Sequence, residues 1–367
     1  MRVRHSIHSS RYSTQEIKML TLRQKIAQML IIGFPESQIQ AQSPVAEWLQ
    51  SDGLGGVLLF DYNMPARSFG KNLISRDQIQ RLTAQLRRFN QQDLPLFIAI
   101  DYEGGVVDRL KHVDGCRPTM TPFEQANLSD KALQDEVEAM ALTLADLGFN
   151  LNFSPVVDLN LDEQHGIIGK LGRSFSSLPK RVVEVASATV KGFNEKGIVC
   201  CYKHFPGHGS AKGDTHEGFV DVTDTYHSTE IEPYAALVRN VEQQAMIMTA
   251  HVINRHLDPS GLPATLSYHI LTGLLREELG YHGVIISDDL QMQAISHHYS
   301  LEESLCLTIN AGADMVIFGN QLGEHTAPEV IDCIEQLVQT GAIDSSRIEE
   351  AYQRIVALKQ SAKVNGQ

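Results

Sequence analysis

Eight apolar runs of strand length recur along the chain: Met29–Phe34, Gly56–Phe60, Leu96–Asp101, Leu151–Val157, Ile198–His204, Met246–His251, Val284–Asp288 and Met315–Gly319. None alternates polar with apolar, so each predicts a strand buried on both faces. Helical patterns separate most of them. Leu133, Val137, Met140, Ala141 and Leu144 form one apolar stripe closed by Gly148. A second pattern runs from Pro179 to Gly197, with proline suited to the first turn and glycine to a left-handed cap. A third helix is expected after Ser267, a plain N-cap candidate. Buried strands alternating with helices predict a parallel sheet covered by helices, and eight such units predict an α/β chain folded as a (β/α)8 TIM-type barrel. A doubly wound open sheet would be expected to carry a GxGxxG turn after an early strand, and there is none. Asp101, Lys203 with His204, His251 and Asp288 each end a different expected strand, where barrel active sites are built.

Length and composition narrow the class. The 367 residues, 43% of them hydrophobic, can build one large core without a disulfide or metal staple. Residues 1–20 read as a flexible tail and 21–367 as one domain. A net charge of −13 would repel a phosphate backbone, so nucleic acid is not an expected partner. The cysteines (Cys116, Cys200, Cys201, Cys306, Cys333) form no CxxC pair and are odd in number, which predicts reduced, mostly buried thiols. No apolar run is long enough to span a bilayer. The opening MRVRHSIHSSRYSTQ lacks the apolar core of a secretory signal, so a cytoplasmic location without membrane contact is expected.

The segment Lys203-His204-Phe205-Pro206-Gly207-His208-Gly209, followed by Gly213-Asp214-Thr215-His216, is the densest in chemistry. Its glycines and proline force an irregular loop, and its side chains can titrate or donate hydrogen bonds. Asp214 and His216 are two apart, so in an extended stretch the carboxylate could orient the imidazole as a general acid and base. Asp288 ends a buried run in Ser287-Asp288-Asp289 and is a candidate nucleophile toward an electrophilic carbon, whereas Asp289 and Ser287 serve equally well as caps of a helix beginning near Leu290. Asp101-Tyr102-Glu103-Gly104-Gly105 with Arg109 forms another strand-to-loop transition, whose glycine pair would permit close approach to a ligand. Arg109 and Asp101 could equally be a structural ion pair. Arg173 and Lys203 add donors suited to hydroxyl groups. The glycines of the 206–217 loop make it a candidate lid.

Taken together, KHFPGHG with its following Asp-x-His, SDDLxM, DxEGG and GRSF, in that order, resemble glycoside hydrolase family 3, and most closely its single-domain bacterial β-N-acetylglucosaminidases of cell-wall recycling. The resemblance covers the chain from about residue 21. It implies a retaining exo-β-N-acetylhexosaminidase that removes nonreducing terminal N-acetylglucosamine from peptidoglycan fragments, without a cofactor or metal. It implies Asp288 as nucleophile, His216 as acid/base, Asp214 as its partner, and Asp101, Arg109, Arg173, Lys203 and His204 as the residues binding the nonreducing sugar. The β-glucosidases of the family draw an acid/base glutamate from a second domain. Only 48 residues follow Gly319 here, with helical patterns at Pro328–Thr340 and Ser346–Lys359, so the Asp-x-His loop is expected to supply that group. Val106 and Val107 stand where many members carry an arginine, and Tyr102 replaces a common glutamine, which bears on the leaving group accepted.

Other readings of the same residues make different predictions. A histidine acid does not repel an anionic acceptor, so phosphate could replace water in a β-N-acetylglucosaminide phosphorylase. A chitooligosaccharide-specific hexosaminidase shares the fold. A metal-dependent hydrolase would use His204, His208, Asp214, His216, His251 and Asp288. A Schiff-base aldolase would use Lys203 with a depressed pKa. A sugar-binding barrel without catalysis is expected to have lost one of Asp288, Asp214 or His216, and all are present. The expected partner is a small carbohydrate or muropeptide, with a monomer compatible with the sequence.

Overall fold

The computed structural model describes residues 20–213, 218–240 and 242–362. The expected tail therefore falls almost wholly outside the described residues, as do Asp214 and His216. All eight expected strands form: β1 (Leu30–Gly33), β2 (Gly56–Leu58), β3 (Phe97–Ile100), β4 (Leu151–Asn152), β5 (Cys200–Phe205), β6 (Ala245–Thr249), β7 (Ile285–Asp289) and β8 (Met315–Phe318). Their spatial order is β4-β3-β2-β1-β8-β7-β6-β5, with every pairing parallel. Parallel bridges Leu151–Val199 and Val156–Lys203 join the two ends, so the sheet closes into the barrel. Strand β4 stops short of its expected end because Pro155 has no N–H to give the ladder. The chain nevertheless stays beside β5, with the Val157 N–H donating to the Lys203 carbonyl at 2.8 Å.

Helices follow the expected faces. Asp130–Leu147 is capped by the Ser129 side chain and ends at Gly148, whose φ of 84° is the left-handed cap that a side chain would resist. Pro179–Asn194 turns through Gly197 (φ 75°) into β5. After Ser267 the helix His269–Glu278 is wider than an α-helix, the Leu279 N–H reaching five residues back to Leu274. Ser267 Oγ still accepts from the Ile270 N–H at 3.1 Å. Ala327–Gln339 and Ser345–Ser361 account for the last two helical patterns. Phe97, Ile98, Ile247, Ile285, Ile286 and Val316 are all essentially inaccessible, each worth roughly 1.5–3 kcal/mol of burial. Cys200 and Cys201 are buried, whereas Cys116, Cys306 and Cys333 are half-buried, so fewer thiols are enclosed than the sequence predicts; all five are free.

The end of the barrel where the strands begin is polar but sealed. Asp314, just before β8, accepts from the Ile285 N–H at 3.0 Å and is ringed by Arg276, Arg347 and Arg354. Nearby, the Lys359 ammonium is buried, donating to Gln28 Oε1 at 2.8 Å and the Gly55 carbonyl at 2.9 Å, 4.9 Å above the Phe97 ring. Burial lowers its pKa to about 7. Between that value and about 10.4 the unfolded chain holds a proton that the folded chain lacks, so this group makes stability rise with pH across that window. In urea unfolding, the wild type is therefore expected to gain on Lys359→Met by a few kcal/mol between pH 7 and pH 9.5. Parallel pH dependences of the two proteins would refute this.

Candidate active site

The site occupies the end of the barrel where the strands finish, and its floor is a buried ionic cluster. Asp101 follows β3 directly, and two residues later Glu103 points to the same side. Lys203, inside β5, reaches both, at 3.2 Å from Asp101 Oδ1 and 2.7 Å from Glu103 Oε1. Arg173, from the segment before the Pro179–Asn194 helix, grips Glu103 bidentately at 2.8 and 2.9 Å. Burial alone would raise the Glu103 carboxyl, but Arg173 and Lys203 hold it far below the usual carboxylate range. Burial would likewise lower Lys203, yet Glu103 and Asp101 leave its pKa raised. This ammonium is thus a fixed donor, and the depressed pKa that a Schiff-base aldolase requires is absent.

A second cluster completes the rim. Asp158, which follows the Val156–Lys203 bridge, is fully enclosed and accepts from His204 Nδ1 at 2.7 Å, the His204 N–H at 3.1 Å and the His208 N–H at 2.9 Å. Burial raises its carboxyl, but His204 outweighs that, so the pKa ends lowered. His208 is buried, and burial together with His204 lowers its pKa to about 4, which leaves it neutral at pH 7. Glu230 accepts from the Gly209 N–H at 2.9 Å and the Ser210 N–H at 3.2 Å, and Tyr226 Oη donates to the Pro206 carbonyl at 2.9 Å. Residues 206–211 of the expected lid are buried and held by these contacts, while residues 214–217 lie outside the described residues.

Asp288 stands on β7, four strands around the barrel from β3 and two from β5. It is half-buried; its N–H donates to Thr249 Oγ1 at 3.3 Å and its Oδ1 accepts from the Asp289 N–H at 2.8 Å. Asp289 takes the structural part: its Oδ1 accepts from the Gln291 N–H at 3.0 Å and its Oδ2 from the Gly319 N–H at 3.2 Å. The short helix that follows starts at Gln293 rather than near Leu290, because Asp289 first closes a turn with the Met292 N–H. Ser287 faces away, accepting from the Ile317 N–H at 3.1 Å. His251 is enclosed between Thr265 Oγ1 at 2.8 Å and the Asp289 carbonyl at 2.9 Å. A carbonyl only accepts, so Nε2 carries a proton, and the ring braces the strand that bears Asp288.

Arg109 lies 3.8 Å from Asp101 and 3.6 Å from Asp61, so the expected Asp101 ion pair exists but is loose and shared. The Gly104–Gly105 pair serves the chain rather than a ligand. Gly104 has φ 109°, and a Cβ there would lie 2.1 Å from the Met120 carbonyl. Tyr102 is buried, its backbone paired with the Asn152 side chain. The residues flanking Asp214 to Glu217 lie on this same end, since Val220–Asp221 pairs with Val252–Ile253 after β6, and Phe219 stacks on His298 after β7 at 3.7 Å. Among the described residues no group of three or more His, Cys, Asp or Glu side chains could hold a metal ion. Glu103, Asp158, Glu230 and Asp61 were not singled out from the sequence. Asp61 and Asp158 directly follow strand-length runs, and Glu103 is in step with Asp101, which was the available signal.

A model of the glycosyl hydrolase family 3 N-terminal domain matches residues 21–358. The chain belongs to glycosyl hydrolase family 3. It is 30% identical to β-hexosaminidase A of Pseudoalteromonas piscicida over 96% of its own length and 63% of that protein's. It is 33% identical to the β-hexosaminidase of Idiomarina loihiensis over 69% of its length and 75% of that protein's. Its fold superposes with a TM-score of 0.84 on a family 3 β-N-acetylglucosaminidase from Paenibacillus sp., at 31% identity, covering 95% of this chain and 64% of that one. With a β-N-acetylhexosaminidase from Beutenbergia cavernae the TM-score is 0.82 at 25% identity, covering 93% of this chain and 99% of that one. The chain thus spans just under two thirds of the Pseudoalteromonas and Paenibacillus proteins.

Removing Glu103 would leave two buried cations underpaired. Glu103→Ala is expected to lower unfolding stability at pH 7 by about 3–5 kcal/mol in denaturant titrations. Because the carboxyl is depressed in the folded state, the wild-type advantage should hold above the ordinary carboxylate range and shrink as pH falls through it. A loss under about 1 kcal/mol would contradict the role given to this cluster.

Proposed function

We propose that this family 3 barrel is a retaining exo-β-N-acetylglucosaminidase acting on the nonreducing end of β-linked saccharides, with peptidoglycan fragments as its substrate class. The observation that carries the reading is a set of mutually paired donors and carboxylates at the same barrel end as a half-buried Asp288, with Asp101 following the strand four places around from it. Such a rim suits the hydroxyls of one pyranose ring: Asp101 and Glu103 fix Lys203, Asp158 orients His204, and Arg109 and Arg173 complete the set. All of these but the loosely paired Arg109 are held by their neighbours before a sugar arrives, which lowers the ordering required on binding. The names of the relatives point the same way.

In this mechanism an Asp288 carboxylate oxygen attacks the anomeric carbon as the bond to the leaving oxygen breaks, and His216 gives that oxygen its proton. Water then loses a proton to His216 and displaces Asp288, so two inversions yield retention. Asp214 orients the imidazole and stabilises its charged form. The second carboxylate common in retaining enzymes is replaced by a histidine.

Chromophore release from an aryl β-N-acetylglucosaminide is expected to exceed release from the aryl β-glucoside and to be indifferent to EDTA and phosphate. Asp288→Ala should lower the rate by roughly 10³-fold or more while sugar binding stays measurable. Undiminished activity in that variant would refute the nucleophile assignment, and loss of activity with EDTA would favour a metal hydrolase.

A further inference from the structure

Beside the ionic rim, a cleft of about 440 Å³ opens between the segments that follow β1 and β2, lined by Pro35, Glu36, Ser37, Gln38, Asn63, Ser68, Gly70 and Lys71. That volume lies within the ~300–1,000 Å³ typical of small-molecule sites. None of these residues belongs to the set assigned above to the nonreducing sugar. Three observations tie the cleft to a ligand. Glu36 Oε2 is shielded from solvent and lacks a hydrogen-bond partner, as do Asp61 Oδ1 and Arg109 Nε at the boundary with the rim. A buried polar atom without a partner is costly, by about 1–3 kcal/mol, so Glu36 Oε2, the one of these on the cleft lining, marks where a hydrogen-bond donor is expected to enter.

Position is the second observation. The Asp61 backbone carbonyl accepts from the Gly70 N–H at 2.7 Å and the Lys71 N–H at 3.2 Å, while its carboxylate lies 3.6 Å from Arg109, so this one residue joins the rim to the cleft. Lys71 Nζ donates to the Asn320 carbonyl at 2.7 Å and Gln321 Oε1 at 3.2 Å, in the segment after β8. The carboxylate that acts on it is Asp289, the chain neighbour of Asp288. The cleft therefore borders the segment after β8, the strand that neighbours the Asp288-bearing β7.

Rigidity is the third. The strands Tyr62–Asn63 and Ser68–Phe69 pair antiparallel, and Phe69 packs against Tyr62 at 5.1 Å and His112 at 4.6 Å between ring centres. Ser68 and Asn63 are thereby held in place before a ligand arrives. The lining mixes a carboxylate, an amide, hydroxyls and an ammonium, which matches a neutral ring bearing several hydroxyl or amide groups rather than an apolar aglycone.

We propose that this cleft is a saccharide subsite that holds the leaving-group sugar, with Glu36 accepting from one of its hydroxyls and Asn63, Ser68 and Lys71 contacting the same ring. This rests on the glycosidase reading above. The test compares kcat/KM for N,N′-diacetylchitobiose with that for methyl β-N-acetylglucosaminide, which has the same kind of leaving oxygen but no ring to fill the cleft. In Glu36→Gln and in Ser68→Trp, which blocks the cleft from an exposed position, the disaccharide-to-methyl ratio is expected to fall about tenfold, equivalent to roughly 1.4 kcal/mol. An unchanged ratio in both variants, or equal losses on both substrates, would overturn the subsite. A wild type that cleaves neither substrate would instead remove the glycosidase reading, and this inference with it.

Discussion

Two cations and two carboxylates enclosed at one end of a barrel have to be paired, and that requirement organises the molecule. Lys203 and Arg173 can be buried only because Glu103 and Asp101 accompany them, and the two cations and the carboxylate pair come from three separate segments. The residue after β3, a strand residue of β5 and the segment before the Pro179–Asn194 helix are thus locked together. Asp158 does the same for the following loop, anchoring His204 and His208. The resulting surface is a set of donors already oriented and partly desolvated, which is what recognition of a polyhydroxylated ring demands.

The opposite end of the barrel uses the same chemistry for a different purpose. Asp314 gathers three arginines, and Lys359 is held by a carbonyl and an amide oxygen with no carboxylate among those partners. These groups tie the last helix and β8 to the strands' starting ends. In barrels the starting end supports stability and the finishing end carries chemistry, and the charge distribution here follows that division.

Much of the fold is legible in the residues themselves. Eight uninterrupted apolar runs fix the strand number, and Ser129 with Gly148 brackets a helix whose stripe is visible by periodicity. What escapes is governed by partners distant in sequence. The Gly104–Gly105 pair suggests ligand approach, yet its neighbour is Met120. The glycines after Pro206 suggest a movable loop, but Asp158 and Glu230, far along the chain, accept from the N–H groups of His208, Gly209 and Ser210. Glu103 and Asp158 matter because of what they face, and periodicity reports which side a residue takes, not what lies there. His251 shows the converse, a strand-end histidine whose ring is taken up by Thr265 and the Asp289 carbonyl. Asp214 and His216 lie outside the described residues, and the role proposed for them rests on the family resemblance.

The account depends most on Asp288 forming a bond to sugar. Incubation with a fluorinated N-acetylglucosaminide bearing a good leaving group, followed by proteolysis and mass spectrometry, measures this directly. The peptide containing Asp288 is predicted to gain the mass of one fluorinated sugar, and the adduct should be absent from Asp288→Ala. Label on a different residue, or rapid turnover of the reagent by the wild type with no adduct at Asp288 at any time, would contradict the mechanism.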